Sequence, residues 1–141
     1  MLRDLVSELN TVFGTNVSID IDFTVDESPY ACGYYSSETN SIHINGYPLD
    51  KDNGYKMVQT TIHEMRHAYQ HRAVQSEKRV LVSSKTARLW GWNFQPGHYK
   101  STTRGYTYEE YVSQPVEWDA KQFSKQYSDL IHATPLYKGS W

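Results

Sequence analysis

The 141-residue sequence predicts one α+β domain, residues 1–141, in which helices surround a small, mostly antiparallel sheet of about three strands. Three observations predict this class. Apolar residues repeat at helical spacing at the start of the chain, short strand-like runs follow, and two longer helical patterns occupy the second half. With 38% hydrophobic residues, a chain of this length can bury a core of its own.

The elements of the first third of the chain are short. Residues 2–13 predict a helix because their apolar residues recur every three or four positions, and Gly14 ends it. Residues 17–23 alternate apolar and polar side chains and predict a half-buried strand. Residues 30–36 and 41–45 predict two further strands, and the short polar connection between them favours antiparallel pairing.

A long helix is predicted next. Asp50, Asp52 or Asn53 caps it, and it runs to about Gln75. Four residues spaced by four, three and four positions give it one apolar face, namely Val58, Ile62, Met65 and Tyr69.

The segment 76–107 is predicted to be a loop-rich insertion, with residues 78–89 helical in part. Four residues break the remainder into loop: Gly91, Pro96, Gly97 and Gly105. A second long helix then begins at residues 113–115, with proline at its first position. Its apolar stripe is predicted to consist of Val116, Ala120, Phe123, Tyr127 and Leu130.

Composition argues against several classes of protein. The net charge of −2 gives no electrostatic reason to expect nucleic acid as a partner, and no run approaches the roughly 18 apolar residues that cross a membrane. The first residues lack the features of a signal peptide, so a cytoplasmic protein is expected, with leaderless export left open. A monomer is expected. The single cysteine, Cys32, excludes an intramolecular disulfide and is interpreted as a buried thiol or, alternatively, an inhibitory metal ligand.

The most specific pattern is His63-Glu64-x-x-His67, within the first long helix. Positions four apart lie about one turn apart on the same helical face, so both imidazoles can reach one metal ion. A site with three protein ligands leaves a position for water, and Glu64, turned about 100° from His63, can take a proton from it. The pattern therefore predicts a hydrolytic zinc site.

Zinc held for catalysis needs a third protein ligand. His71 lies roughly 12 Å beyond His63 along the helix, too far to share the ion, and is interpreted as a surface residue. Glu117 is the favoured candidate because it borders the apolar stripe of the second long helix, and a solvated carboxylate favoured by the helix dipole is the alternative. Weaker candidates are Glu109, Glu110, His98 and His132.

The second long helix resembles a known signature. The matching residues are Tyr111, Pro115, Glu117, Asp119, Ala120, Phe123 and Ser124. Together with the His-Glu-x-x-His pattern they resemble gluzincin-type zinc peptidases, especially small bacterial and phage-associated forms such as minigluzincins and the ImmA/IrrE-like group. The resemblance covers roughly residues 30–125 and implies a zincin-like fold, one catalytic Zn²⁺ ion, hydrolysis of peptide or protein substrates, and Glu117 as the third ligand.

The resemblance also implies a substrate-binding strand ahead of the motif helix. Here that strand is 41–45, so Ile42, His43 and Ile44 are expected to bind an extended peptide at a free sheet edge. Two features depart from the family. Ser124 stands where alanine is common, and the 49 residues between His67 and Glu117 exceed the spacing of the smallest relatives.

The expected mechanism assigns further roles. Glu64 acts as general base and then as proton donor to the leaving nitrogen. Tyr111 and His98 are candidates to stabilise the oxyanion, as are Tyr106 and Tyr108. Asp119 either orients a ligand histidine or stays solvated.

Three functions remain open from the sequence. The first is a zinc endopeptidase. The second is a DNA-associated or regulatory protease, for which a basic stretch is available in Arg66, Arg72, Lys78, Arg79, Lys85 and Arg88. The third is a non-catalytic, metal-stabilised binding module. A latent, inactive form is also predicted, in which the loop 76–107 or the tail 135–141 covers the cleft.

Overall fold

The structure, a computed structural model, describes residues 2–22, 33–45, 53–76 and 82–133, and these form five α-helices and a three-stranded mixed sheet. The α-helices are α1 (Leu2–Phe13), α2 (Asn53–Gln75), α3 (Ser84–Phe94), α4 (Tyr108–Ser113) and α5 (Pro115–Ala133). The strands are β1 (Ser18–Asp22), β2 (Gly33–Ser36) and β3 (Ser41–Asn45), and a short 3₁₀ helix spans Thr102–Arg104. The predicted α+β class is confirmed. Several predictions concern residues outside the described ranges: parts of some predicted elements, the caps Asp50 and Asp52, Cys32 and the tail 135–141.

The sheet differs from the predicted one in its strand order. The order is β1-β3-β2, with β3 antiparallel to β2, as predicted, and parallel to β1, so the sheet is mixed and not mostly antiparallel. Parallel pairing requires a crossover connection between the two strands, and here β2 and its flanking segments provide it. The central position of β3 explains why Ile42 and Ile44 are buried at 0% and 1% exposure.

The core lies between the sheet, α1 and α2. The predicted apolar face of α2 is confirmed, because Val58, Ile62 and Met65 are each fully buried. Leu5 and Leu9 of α1 pack into the same cluster. Burying this face fixes the rotation of α2 and leaves the opposite side of the helix, which carries the histidines, turned toward α5.

Helix α5 packs antiparallel to α2. The hydroxyl of Tyr55, near the start of α2, donates to Asp129 near the end of α5 at 3.3 Å, and Gln70 donates to the carbonyl of Val116 at 2.9 Å. The predicted stripe is wrong at its end, since Leu130 is 66% exposed and Ile131 is buried. The buried face of α5 is rotated toward Glu117, and this rotation brings that carboxylate against α2.

The segment 82–107 holds more helix than predicted. Helix α3 continues through Gly91, which was expected to end it, and a Cβ at Gly91 would lie 3.3 Å from Val74 Cγ1, so the glycine permits close packing of α3 on α2. Helix α4 was not predicted. Its start carries a capping box in which Thr107 accepts from the Glu110 backbone and Glu110 accepts from the Thr107 backbone.

None of the helices in the described ranges is long and apolar enough to cross a membrane.

Candidate metal centre

Three side chains of α2 converge at its face toward α5. One ligand-type atom each from His63, Glu64 and His67 lies within 4.8 Å of the others. This proximity follows from the helix geometry, since one turn separates the two histidines and Glu64 lies beside the first. The predicted convergence of the motif is confirmed.

Glu117 completes the cluster from α5. Its Oε1 lies 3.0 Å from His63 Nε2 and its Oε2 lies 3.1 Å from His67 Nε2, so one carboxylate bridges both imidazoles. The residue is only 2% exposed. The alternative of a solvated carboxylate is therefore wrong, and Glu117 shares a buried site with the two histidines.

Gln70 fixes the tautomer of His67. Its side-chain nitrogen donates to the carbonyl of Val116 at 2.9 Å and to Asp119 Oδ2 at 2.8 Å. Its Oε1 must then act as an acceptor, and it lies 2.8 Å from His67 Nδ1. Nδ1 of His67 therefore keeps its proton, and Nε2, 3.1 Å from Glu117 Oε2, is the nitrogen that gains or loses one.

Asp119 acts on His67 through Gln70. The carboxylate was expected to orient a ligand histidine, and it accepts from Gln70 and from two nitrogens of Arg66 at 2.8 and 3.1 Å. The Arg66 guanidinium lies 4.4 to 5.9 Å from the ring centres of Phe13, Tyr69, Trp90 and Phe123. Because this pairing and packing enclose Arg66, it does not contribute to the exposed basic stretch considered above.

Two tyrosines interact with the Glu117 carboxylate. The hydroxyl of Tyr99 donates to Glu117 Oε2 at 2.6 Å, and burial together with the Glu117 charge raises the pKa of Tyr111. Tyr111 was a predicted site residue, whereas Tyr99 was missed because no spacing pattern distinguishes it. His98 was predicted to serve the site, but it stacks on Trp92, at a ring-centre distance of 4.5 Å, and hydrogen-bonds to the Trp92 carbonyl. His98 is therefore held by α3 and not by the cluster.

The weaker ligand candidates do not join the cluster. Glu110 caps α4, Glu109 is exposed, and His132 packs against Tyr55 at a ring-centre distance of 4.5 Å. His71 was predicted to be a surface residue, which is wrong. It is half-buried and stacks on Phe94 at 4.0 Å, and burial lowers its pKa to about 4.

The protonation states of the site follow from burial and neighbouring charge. Burial raises the pKa of Glu64, although His67 and His63 oppose the shift. Burial acts to lower the pKa of His67, but the carboxylates of Glu117 and Glu64 outweigh it and raise the pKa to about 9. Burial acts to raise the pKa of Glu117, yet both imidazoles hold it well below its ordinary value. Burial and Glu117 raise the pKa of Tyr99 and Tyr111, so both hydroxyls remain proton donors.

Two recesses, each of about 310 Å³, open on either side of the cluster and share Gly33, Glu64, Tyr111 and Glu117 in their walls. Their volumes are in the range of ligand-binding clefts. The aromatic recess is lined besides by Tyr34, Tyr35, His71, Phe94 and Tyr99. The lysine recess is lined besides by Lys56, Gln59, Thr60, Tyr108, Lys121 and Ser124. One groove thus passes over the cluster, with different walls at its two ends.

The strand beside this groove is β2 and not β3. Ile42, His43 and Ile44 were expected to bind substrate at a free edge, but β3 is paired on both sides, so its backbone groups are engaged. The outer edge of β2 has no strand partner among the described residues. Gly33, Tyr34 and Tyr35 of β2 line the aromatic recess together with Glu64, so this strand lies beside the cluster.

Comparison with known proteins adds no further assignment, since no family model, curated protein or solved structure matches the chain.

Proposed function

We propose that this protein is a zinc-dependent peptidase in which His63, His67 and Glu117 hold one catalytic ion and Glu64 is the general base. The proposal includes a zincin-like fold of the gluzincin type, which the two motifs suggest. The single observation that carries it is the bridging position of Glu117, whose two oxygens lie 3.0 and 3.1 Å from the Nε2 atoms of the two histidines.

The donor set fits a zinc ion. In a tetrahedral site with bonds of about 2.0–2.1 Å, neighbouring ligand atoms lie roughly 3.3 Å apart, close to the nitrogen–oxygen distances found here. Gln70 holds a proton on Nδ1 of His67, so Nε2 is the nitrogen that would lose its proton and bind the metal. Two imidazoles and one carboxylate leave a further position for water, which is the arrangement of a catalytic site.

Zinc bound here would supply a polarised water molecule and a polarised substrate carbonyl. Glu64 lines both recesses beside the ligands, in a position to take the proton of that water and to deliver it to the leaving amide nitrogen. Tyr111 also lines both recesses, and its protonated hydroxyl is available to donate to the oxyanion. A peptide would lie along the outer edge of β2 by strand addition.

Glu64→Gln tests the proposal. The amide keeps the size of the side chain but cannot act as a base, so turnover should fall by at least roughly a hundredfold while zinc binding is retained. Cleavage of casein and of a peptide library is measured beside zinc content, with Glu109→Gln on exposed α4 as the matched control. Unchanged cleavage by the Glu64→Gln variant would contradict the assigned mechanism. Stoichiometric zinc without any cleavage by the wild-type protein would indicate a non-catalytic metal-stabilised module.

A further inference from the structure

The two recesses that flank Glu64 differ in charge. Neither lysine nor arginine lines the aromatic recess. Its wall holds two histidines, His67 of the candidate metal centre and His71, whose pKa burial lowers to about 4. The lysine recess carries two exposed ammonium groups, Lys56 and Lys121. The acidic groups in its wall are Glu64 and Glu117, and both belong to the candidate metal centre. One end of the groove therefore carries no lysine or arginine, whereas the other carries two lysines.

Helical spacing aligns both lysines with the metal centre. Lys56 precedes His63 by two turns of α2, roughly 10 Å along the axis, and Lys121 follows Glu117 by one turn of α5, roughly 6 Å. Because α2 and α5 are antiparallel, these opposite steps along the sequence lead toward the same end of the groove. Both lysines thus line the same recess, one from each of the two helices.

Neither lysine forms an ion pair with a residue in the part of the chain that the structure describes. Arg66 on the same helix is different, since it pairs with Asp119. Two like charges that face one recess repel each other, and an anion bound between them relieves that repulsion. The recess therefore has the charge arrangement of a carboxylate-binding subsite.

We propose that the lysine recess binds a carboxylate of the substrate, two or three residues from the scissile bond, so that the protein prefers acidic peptides. An extended peptide advances about 3.3 Å per residue, so a span of roughly 6 to 10 Å corresponds to two or three residues. The carboxylate belongs either to an Asp or Glu side chain or to the end of the peptide. This inference rests on the proposed function, because it assigns a substrate class to the same site.

The test uses matched peptides of about ten residues, blocked at both ends. Each contains one phenylalanine, the anchor, which is intended to occupy the aromatic recess. Glu, Gln or Lys is placed two or three residues beyond the anchor on either side, and a fourth form carries a free terminal carboxylate at that distance. The ratio of kcat/KM for the Glu and Gln peptides is measured at low and high salt. Binding of the same peptides to the Glu64→Gln protein gives a second readout that needs no turnover.

The wild-type protein should prefer the Glu over the Gln peptide by roughly fivefold, as partly exposed charge pairs allow, and added salt should reduce the preference. The double variant Lys56→Glu/Lys121→Glu should reverse it in favour of the Lys peptide. The control Lys85→Glu/Arg88→Glu, which makes the same charge change on exposed positions of α3, should leave it intact. The fourth peptide distinguishes a terminal carboxylate from a side chain.

Equal cleavage and equal binding of the Glu, Gln and Lys peptides would overturn the inference and leave the peptidase assignment standing. A preference for the Glu peptide that persists in the Lys56→Glu/Lys121→Glu variant would also overturn the inference. Absence of cleavage of every peptide by the zinc-loaded wild-type protein would overturn the proposed function, and the substrate assignment with it.

Discussion

Replacing Gln70 by methionine tests how the site holds His67. Methionine has a similar volume but accepts no hydrogen bond in place of the amide oxygen, so the buried Nδ1–H of His67 loses its acceptor. Val116 and Asp119 each lose one donor, although Asp119 keeps Arg66. The unpaired His67 donor alone should lower the free energy of unfolding of the metal-free protein by about 1–3 kcal/mol. Zinc affinity should fall by about 10- to 100-fold, because the tautomer and ring orientation are no longer fixed.

Zinc dissociation constants from competition with a chromophoric chelator and thermal unfolding followed by circular dichroism measure the two effects. Gln75→Met, at the exposed end of the same helix, is the matched control and should change neither. Gln70→Glu separates the roles. It restores an acceptor for His67 and should recover zinc affinity in part, but it opposes two carboxylates where Gln70 Nε2 lies 2.8 Å from Asp119 Oδ2. Wild-type zinc affinity in the methionine variant would refute the reasoning.

Two further predictions concern β2 and the tyrosines. Gly33→Ala should lower the free energy of unfolding by about 1–3 kcal/mol, since the added Cβ would lie 2.7 Å from the His43 carbonyl oxygen. Denaturant unfolding measures this loss. A variant as stable as the wild-type protein would show that β2 is free to shift. Tyr99→Phe removes a hydrogen bond to Glu117 and should weaken zinc binding by about tenfold, whereas Tyr111→Phe should lower kcat with little effect on the zinc dissociation constant. Equal effects of the two substitutions in both assays would contradict these separate roles.

The parts of the site that follow local periodicity were predictable. His63, Glu64 and His67 converge because their spacing matches one helical turn, and Glu117 lies beside a stripe whose burial orients α5. The end of that stripe was not predictable. At about 100° per residue, burial of both Glu117 and Ile131 requires a face rotated away from Leu130, and the sequence does not reveal that Glu117 is buried.

The parts that depend on distant pairing were also not predictable. The central position of β3 arises from a parallel pair with β1, and local patterns do not reveal which strands pair across a connection. Gln70 and Tyr99 carry no recognisable spacing, because their roles depend on hydrogen bonds to the start of α5, which is distant in sequence. The capping box at Thr107 and Glu110 was a readable signal of α4, which helical periodicity alone does not reveal in so short an element.

The bridge between the motif helix and Glu117 has a consequence for how the protein reaches its working state. The histidine pair forms as soon as one turn of α2 winds, whereas the carboxylate arrives only when a chain segment of 49 residues has closed. Closure entropy grows slowly, so doubling such a segment costs only about 0.6 kcal/mol. Added length in the loops of this stretch would therefore cost little, provided that Gln70 and Tyr99 keep their contacts with His67 and Glu117.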